Sequence, residues 1–593
     1  MPIFLEILES NMNSYDDQYM ETMRHSFAHI LAQAVLRLYP GAKLGIGPAI
    51  PEGFYYEFDL PAKISVEELP QIEAEMKKII SEAQPFKQIT ITRQQAFDML
   101  MQLGQVYKTE LLQQVPDEEI SFYKTGEEFI DLCRGPHVNH TGQLKVFKLI
   151  GINESNWLAD AERPLMQRIT GVAFAGKKEL ERYLQQQEEL RLNDHAKLGK
   201  EIEIFSTDPD KVGHSLHVLL QNGILLKQRL EQRLMQELME HDYYFVQSPE
   251  LISTHSLKKA RIIDYKPEQL LGSIKLQDQD YVLKPGPESI HYEIFQQKTR
   301  SYKELPLRLA EFSVNYVRSN ALTNHRLTNQ LRYTSLTSTT FVNEKQVIAD
   351  LTETIHLMLE IIKMLGFTDY KLEVLLPYHN RVGHYLGDEQ SWKDSIEIIE
   401  RALAGPKLVA RTHEGEAPFN GPELSIIVKD VFKRDWKLCS IIPDLISAEI
   451  YNLRYISNSG EQLLPIILHK QFLVSMEGLI ALLIENNGGS FPIWMAPVQS
   501  LVIPISQKFN HYATEILNTL KKAKIRARID NRDETLQAKI REAELQRTPF
   551  MLIVGEKEVN TRSVSVRPRS GQDLGLMRIE EFLNLISKED KIG

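Results

Sequence analysis

Two short stretches decide how this chain is interpreted: His25-Ser26-Phe27-Ala28-His29 and Asp131-Leu132-Cys133-Arg134-Gly135-Pro136-His137. The first lies in Met23 to Leu38, where apolar residues recur at helical spacing, so its two histidines fall one turn apart on one helix face. In the second, glycine and proline prevent a continuing helix, so the cysteine and the last histidine are presented from a turn. A fold that brings the turn to the helix gathers three histidines and a thiol.

Such a set of side chains suits two kinds of site. Cysteine and histidine are the usual ligands of tetrahedral zinc, although HxxxH with a distant CxxxH is looser than zinc-finger spacing. The other chemistry is metal-free hydrolysis, in which histidines that titrate near neutral pH, with Lys108 or Asp131 nearby, orient and deprotonate a water. A third interpretation is a set of hydrogen-bonded core histidines. The Arg-Gly-Pro-His turn disfavours it, because packing alone does not require a thiol and an imidazole there.

Length and composition indicate a multidomain globular protein. The 593 residues exceed what one core usually covers, so we expect three or more domains. The longest apolar stretch, near residues 472–484, contains serine, glutamate and glycine and is too short to span a bilayer. The amino terminus lacks the basic and apolar regions of a secretory signal. With two cysteines, Cys133 and Cys439, a disulfide framework is excluded, and we expect a cytoplasmic protein with no membrane partner.

The net charge of −11 conceals a basic region near the carboxyl terminus. Many basic residues lie between Lys521 and Arg541, and Arg562, Arg567 and Arg569 follow. This pattern predicts a phosphate-facing surface in the last domain. The alternative is an ordinary solvated charged face.

The two opening stretches also resemble a known family when read with Gly45-Ile46-Gly47-Pro48, Gly53-Phe54-Tyr55-Tyr56 and Tyr107-Lys108. Their order and spacing are similar to those of the editing domain of bacterial-type threonyl-tRNA synthetases, which alanyl-tRNA synthetases share. In that family the domain hydrolyses serine wrongly esterified to threonine tRNA. The resemblance implies that this activity belongs to His25, His29, Lys108, Asp131, Cys133 and His137. No cofactor is then required, and zinc held by His25, His29, Cys133 and His137 is the alternative.

The middle of the chain resembles the class II synthetase core. Tyr243 to Glu250 is similar to the first conserved motif, which forms dimers in the family, and Leu307 to Phe312 resembles the start of the second. Leu468 to Glu477 resembles the third. The resemblance implies an antiparallel sheet flanked by helices and a homodimer.

The residues that serve ATP chemistry in the family are replaced. Arginines and magnesium there meet the charge that builds up on the phosphates. The second motif's arginine falls on Val317, beside Arg318, and the third motif's falls on Gly478. A conserved run before the third motif is replaced by Arg332 to Thr339. ATP and magnesium are therefore expected only if the chain is a ligase.

The amino-acid pocket is altered in the same way. A cysteine and two histidines hold zinc in the family, and they align here with Glu288, Thr339 and His469. A carboxylate, a hydroxyl and one imidazole make a weak zinc site. We therefore expect the core zinc site to be lost.

From about Pro497 strands alternate with helices, which predicts an α/β module. Gly555 to Val559 and Val564 to Arg569 resemble the anticodon-binding domain of the same synthetases. Single-stranded anticodon bases are accessible to side chains. The candidate tRNA contacts are Glu556, Glu558, Arg567 and Arg569.

The predicted fold is an α+β multidomain protein with five segments. They are an amino-terminal lead-in (1–21), a mixed α/β editing domain (22–190), a helical linker (191–200), a degenerate class II synthetase core with an antiparallel sheet (201–495) and an α/β anticodon-binding domain (496–593). The linker continues a run from Lys177 to Lys200 with leucines at helical spacing.

Three functions compete at this stage. The first is a trans-editing hydrolase that deacylates Ser-tRNA(Thr) made by a companion threonyl-tRNA synthetase. The second is a threonine–tRNA ligase that uses ATP. The third is a non-catalytic tRNA-binding regulatory protein, for which the histidine cluster would be dispensable.

Overall fold

A computed structural model describes residues 2–159, 163–206, 209–213, 215–259, 270–318, 327–328, 330–378 and 385–589, with the backbone alone for 2–17, 159, 209, 210 and 259. The chain divides into two compact units, residues 1–188 and 189–593. Both combine helices with sheets in which antiparallel pairs predominate, so the predicted α+β multidomain class is confirmed.

One long helix, Pro2–Leu38, opens the first unit. The segment predicted as a separate lead-in is therefore helical and continues directly into the helix predicted from Met23. Apolar residues three and four apart form one stripe, and Phe27, Ile30 and Leu31 are completely buried. His29 is 1% exposed, so its ring lies in the same buried face.

Two sheets complete the first unit. The larger is antiparallel and runs Lys43–Leu44, Gly53–Asp59, Leu165–Ala173 and Phe147–Asn156, with Ala49–Ile50 also paired to Gly53–Asp59. The smaller runs Phe86–Thr92, Glu119–Thr125 and Phe129–Leu132. Further helices are Leu69–Ser81, Arg93–Gln102, Val106–Gln114 and Lys177–Leu192. The long helix packs on Leu69–Ser81 and Gly53–Asp59, which places His25 and His29 beside the larger sheet.

The predicted linker at 191–200 is not one continuous helix. Lys177–Leu192 ends, and Asp194 caps a second helix, His195–Glu201, by accepting a hydrogen bond from the Ala196 amide at 2.8 Å. Asparagine and aspartate favour this capping over helix interiors, which the leucine spacing alone did not reveal. His195 is buried against Glu485 at 2.6 Å, so the second helix is part of the second unit's core.

An eight-stranded sheet forms the centre of the second unit. Its spatial order is Tyr244–Phe245, Leu307–Tyr316, Arg332–Val342, Ile466–Leu473, Asp435–Asp444, Glu423–Lys429, Tyr370–Leu376 and Ala410–Glu414. The six central strands are antiparallel, and each outermost strand is parallel to its neighbour. The larger helices are Gln221–Glu240, Glu288–Gln296, Val347–Met364, Glu389–Ala404 and Met476–Asn487.

The carboxyl-terminal module is a five-stranded mixed sheet with helices. Its strands run Ala527–Ile529, Ser500–Pro504, Phe550–Val554, Ser563–Pro568 and Gly575–Arg578. Its helices are Asn510–Lys522, Leu536–Leu545, Glu556–Thr561 and Ile579–Glu589. The strands and helices after Pro497 alternate as the sequence predicts. Short apolar runs separated by amphipathic stretches favour this arrangement of buried strands and surface helices.

Within the part of the chain that the structure describes, no helix has the length and apolar character needed to cross a membrane.

A buried charge network ties the central strands to the helix Val347–Met364. Asp350 is 3% exposed and contacts Lys470 Nζ at 2.5 Å and Arg308 Nη2 at 2.7 Å. Burial raises the pKa of Asp350, but Lys470 and Arg308 outweigh it and hold that pKa below its usual value. The carboxylate is therefore charged in the folded protein, and its contribution to stability is lost as pH falls below about 4.

Replacing this carboxylate removes the one buried anion that Lys470 and Arg308 share among the described contacts. Asp350→Ala should lower the free energy of unfolding by about 3–5 kcal/mol, measured by urea denaturation. Glu353→Ala is the matched control, because Glu353 also contacts Arg308 but its side chain is 52% exposed. That control should cost less than about 1 kcal/mol. Equal losses in the two variants would contradict the assignment.

Candidate active site

The structure brings the helix and the turn together, so that His25, His29, Cys133 and His137 form one cluster. Their potential ligand atoms all lie within 4.8 Å of one another. Cys133 Sγ is 3.4 Å from His25 Nε2 and 3.2 Å from His137 Nε2. The ring centroids of His29 and His137 are 4.1 Å apart. We call these four residues the His/Cys cluster.

Glycine at position 135 shapes the turn that carries half of the cluster. Its φ is +72°, a conformation that other residues rarely adopt. A Cβ at this position would lie 2.5 Å from Tyr123 Oη, which leaves no room for a side chain. The Gly135 amide also donates a hydrogen bond to Cys133 Sγ at 3.2 Å. The turn therefore fixes the thiol and aims it at the histidines.

Ser26, which the sequence analysis did not single out, fixes the orientation of His137. Its hydroxyl donates to the Thr22 carbonyl at 2.8 Å, accepts from the Val138 amide at 3.1 Å and lies 3.1 Å from His137 Nδ1. The Ser26 hydroxyl has one hydrogen, which it donates to the Thr22 carbonyl. His137 Nδ1 must therefore be the donor in its contact with Ser26 Oγ. The lone pair of His137 is then on Nε2, facing Cys133. Serine in a helix often bonds back to the carbonyl four residues earlier. That pattern could have indicated from the sequence that the Ser26 side chain is held in place.

Lys108 and Asp131 lie beside the cluster as a buried ion pair. Lys108 Nζ is 2.7 Å from Asp131 Oδ1, and both side chains are under 5% exposed. The Tyr56 hydroxyl donates to the other carboxylate oxygen. Burial and Asp131 raise the pKa of Tyr56 well above its usual value, so this phenol stays a donor. His29 Nε2 is 3.8 Å from Asp131 Oδ2, so Asp131 faces the cluster without a direct hydrogen bond to it.

Burial keeps the cluster neutral. It lowers the pKa of all three imidazoles, and that of His29 falls well below its usual value. It raises the pKa of the Cys133 thiol to about 12. At neutral pH the metal-free site therefore contains imidazoles that can accept a proton and a protonated thiol. The thiolate is the nucleophilic form, so Cys133 is not positioned as a nucleophile.

A cavity of about 320 Å³ leads to one member of the cluster. Its lining includes His25, Thr22, Pro48, Gly135 and Pro136. Its volume falls within the usual range of small-molecule sites. His25 is thus the imidazole of the cluster that lines this cavity, whereas His29 is buried.

The His/Cys cluster also fits a zinc ion. One thiolate and three imidazoles are a usual tetrahedral donor set. The hydrogen bond between Ser26 and His137 Nδ1 resembles the outer contacts that orient zinc-bound histidines. Binding would require loss of the thiol proton, so occupancy would depend on pH.

The core residues Glu288, Thr339 and His469 do not fit a zinc ion. The Thr339 hydroxyl is 2.9 Å from His291 Nδ1. His469 Nε2 is 3.1 Å from Asp444 and 3.2 Å from the Tyr292 hydroxyl. Two of the three candidate ligands therefore already have partners within the protein.

The core cavity, of about 360 Å³, presents no unpaired cation for a phosphate group among the lining residues that the structure describes. Val317 and His469 line it together with Glu288, Glu423 and Lys437. The Lys437 ammonium is 2.5 Å from Glu423. No arginine belongs to this lining in the described ranges of the chain. Gly478 lies in the helix Met476–Asn487, where its amide is capped by Ser475 Oγ at 3.0 Å.

Most of the four predicted tRNA contacts already have partners in the protein. Glu558 accepts hydrogen bonds from the Gly555 amide and from the Ser565 hydroxyl. The bond to the Gly555 amide caps the helix Glu556–Thr561. Arg569 donates to the Phe491 carbonyl at 2.8 Å, and Arg567 contacts Glu544 at 3.0 Å. Glu556 is exposed. Their contact with tRNA stays a prediction.

Comparison with known families matches three parts of this architecture. The Threonyl and Alanyl tRNA synthetase second additional domain matches residues 120–170, the tRNA synthetase class II core domain (G, H, P, S and T) matches 268–487, and the Anticodon binding domain matches 499–589. Together these features define a class II aminoacyl-tRNA synthetase architecture with an editing domain.

Individual relatives narrow the class. The chain is 36% identical to the threonine–tRNA ligase of Dehalococcoides mccartyi, covering 96% of both proteins. It is 37% identical to that of Thermus thermophilus, covering 96% of this chain and 88% of that protein. The chain belongs to the threonyl-tRNA synthetase family. The RNA binding domain of threonyl-tRNA synthetase from Cryptosporidium parvum superposes with a TM-score of 0.63 at 25% identity, over 67% of this chain and 98% of that one.

The two candidate zinc sites can be distinguished by mutation. Added zinc should bind at the His/Cys cluster, measured by metal analysis after gel filtration with one equivalent of zinc. Cys133→Ala should weaken this binding, because it removes the only sulfur ligand, and His469→Ala should leave it unchanged. Zinc that is lost with His469→Ala and kept with Cys133→Ala would contradict the placement.

Proposed function

We propose that this protein is an aminoacyl-tRNA deacylase that removes serine from tRNA(Thr) charged by another enzyme. The observation that carries the proposal is the contrast between its two cavities. One reaches His25, whose imidazole belongs to the His/Cys cluster. The other, in the synthetase core, presents no unpaired cation for ATP among the residues that the structure describes.

The need for such a hydrolase is physical. Serine lacks one methyl group relative to threonine, and such a group discriminates by only about 1–3 kcal/mol in a binding pocket. A synthetase that must exclude serine therefore requires a second, hydrolytic step. A separate protein that keeps this step can act on the product of a companion ligase.

His25 is the proposed general base, because it lines the cavity and its neutral imidazole can accept a proton. It takes a proton from a water whose oxygen attacks the ester carbonyl carbon. The bond between that carbon and the ribose oxygen then breaks, and the proton is delivered to the ribose oxygen as serine leaves. A zinc ion held by His29, Cys133 and His137 alone would leave a fourth position for this water and would supply a Lewis acid that lowers its pKa.

The remaining residues of the site position these groups. Ser26 and Cys133 hold the His137 ring, and the pair Lys108 and Asp131 keeps one compensated charge beside His29. Because Lys108 neutralises Asp131, this buried pair adds no net charge beside the ester.

Substrate recognition by the carboxyl-terminal module follows from its family and its surface. Its match to an anticodon-binding domain supports tRNA as the partner. Lys521, Lys522, Lys524 and Arg541 are exposed on it and can approach the phosphate backbone. We further propose a homodimer formed through the eight-stranded sheet domain, as class II cores favour.

A threonine–tRNA ligase is the second candidate function. It is favoured by the sequence identity of 36–37% to proteins named threonine–tRNA ligase, which extends over 96% of this chain. It requires this core to bind ATP and threonine, for which Val317, Glu288 and Gly478 provide unsuitable side chains. A third candidate, a non-catalytic tRNA-binding protein, would give the His/Cys cluster no catalytic function.

The deacylase proposal is tested with Ser-tRNA(Thr) and Thr-tRNA(Thr) under single-turnover conditions. Wild type should hydrolyse the serine ester and spare the threonine ester. His25→Ala should lower the rate on Ser-tRNA(Thr) by about 10²-fold, the usual contribution of a general base. His511→Ala is the control, since the side chain of His511 is 91% exposed in the carboxyl-terminal module. Full activity in His25→Ala would refute the assignment of the base.

Ser26 provides a separate test of how His137 is held. Ser26→Ala should lower kcat about five- to tenfold with little change in KM, because one hydrogen bond that orients the ring is lost. Unchanged kcat, or a loss confined to KM, would show that Ser26 does not position the reacting groups.

A further inference from the structure

The cavity in the synthetase core has the size and the polarity of a binding site for a small molecule. Its volume is about 360 Å³, and Tyr292, Tyr333 and Tyr451 line it with Glu288. Thr337 and Gln471 add neutral polar groups. Small-molecule sites combine apolar or aromatic walls with a few placed polar groups in this way.

Charge in this cavity is unbalanced at one residue. Glu423 is paired with Lys437, and His469 is bonded to Asp444. Glu288 is half-buried and has no hydrogen-bond or ion-pair partner in the described part of the protein. It begins the helix Glu288–Gln296, whose amino terminus offsets part of the cost of this charge. A carboxylate withdrawn from water still favours a cation as its neighbour.

Three tyrosine side chains line the same cavity as that carboxylate. Burial raises the pKa of Tyr333 to about 12, and the charge of Glu288 adds to the effect. Burial also raises the pKa of Tyr292, with contributions from Asp444 and Glu288, and that of Tyr451, with contributions from Glu293 and Glu288, so all three phenols are neutral. The rings of Tyr292 and Tyr451 are 4.5 Å apart at 63°, which forms two walls of a corner. The faces of tyrosine rings attract cations.

Glycine at position 286 leaves the space that the carboxylate occupies. A Cβ there would lie 2.4 Å from Glu288 Oε2. Any side chain at this position would therefore displace the carboxylate from its present place.

We propose that this cavity binds a small amine of net positive charge, with its ammonium group on Glu288 and against the tyrosine rings, and without a metal ion. An amine is favoured over a zwitterionic amino acid because a ligand carboxylate would find no unpaired cation in the described lining. The proposal goes beyond the deacylase activity and does not depend on it, since none of these residues belongs to the His/Cys cluster.

Isothermal titration calorimetry of the full-length protein with L-threoninol and L-threonine, both in the presence of EDTA, tests the proposal. These probes differ in the carboxylate and share the ammonium group. L-threoninol should bind with one-to-one stoichiometry and about tenfold more tightly than L-threonine, because the L-threonine carboxylate would leave water without an unpaired cation to receive it. Absence of L-threoninol binding, binding that EDTA abolishes, or tighter binding of L-threonine would each overturn the proposal.

Variants locate the site. Glu288→Gln should weaken L-threoninol binding about tenfold or more, and Gly286→Ala should also weaken it by displacing the carboxylate. Glu400→Gln is the control, because Glu400 is exposed on the helix Glu389–Ala404 and does not line the cavity. Equal affinity in wild type and both Glu288→Gln and Gly286→Ala would overturn the assignment. Ser-tRNA(Thr) hydrolysis should be unchanged in all three variants, so failure here and failure of the deacylase proposal are distinguishable.

Discussion

The contact between the long amino-terminal helix and the turn at Gly135 determines whether the hydrolytic site exists. Neither element alone places more than two of the four side chains together. The Ser26 hydroxyl joins them, because it contacts both the Val138 amide and His137 Nδ1 while it remains bonded to its own helix. The thiol of Cys133 then meets two imidazoles at 3.4 Å or less. Burial of this junction keeps all of these groups neutral at physiological pH.

The two cavities differ in whether their charged side chains are paired, and the proposed functions rest on that difference. The site at the helix and turn pairs the buried carboxylate of Asp131 with Lys108. The core cavity pairs its lysine internally and leaves Glu288 as the surplus charge. An anionic substrate such as ATP would meet repulsion there, whereas a cation would be attracted. We therefore assign the proposed seryl ester to the first cavity and the proposed amine to the second.

The sequence was most informative where spacing alone determines geometry. The HxxxH spacing placed His25 and His29 on one helix face, and the glycine–proline turn placed Cys133 and His137 opposite. Helix Asn510–Lys522 also follows its apolar pattern.

Ser26 and Tyr56 were not assigned, because their roles come from hydrogen bonds to residues more than 70 positions away. The break at Asn193-Asp194 was missed because leucine spacing outweighed the capping preference of aspartate. Glu558 and Arg569 look like surface charges in the sequence, and only the tertiary contacts show that their side chains have partners.

The central claim is that the family's ligase chemistry has been lost in this chain while its hydrolytic site has been retained. Threonine-dependent exchange of labelled pyrophosphate into ATP measures the first step of ligation directly and needs no tRNA. The account predicts exchange at the level of a threonine-free control, because no arginine or unpaired lysine lines the described part of the core cavity. A threonine–tRNA ligase assayed in parallel confirms that the reagents are active. Exchange that rises with threonine concentration would contradict the account and establish the chain as a working ligase.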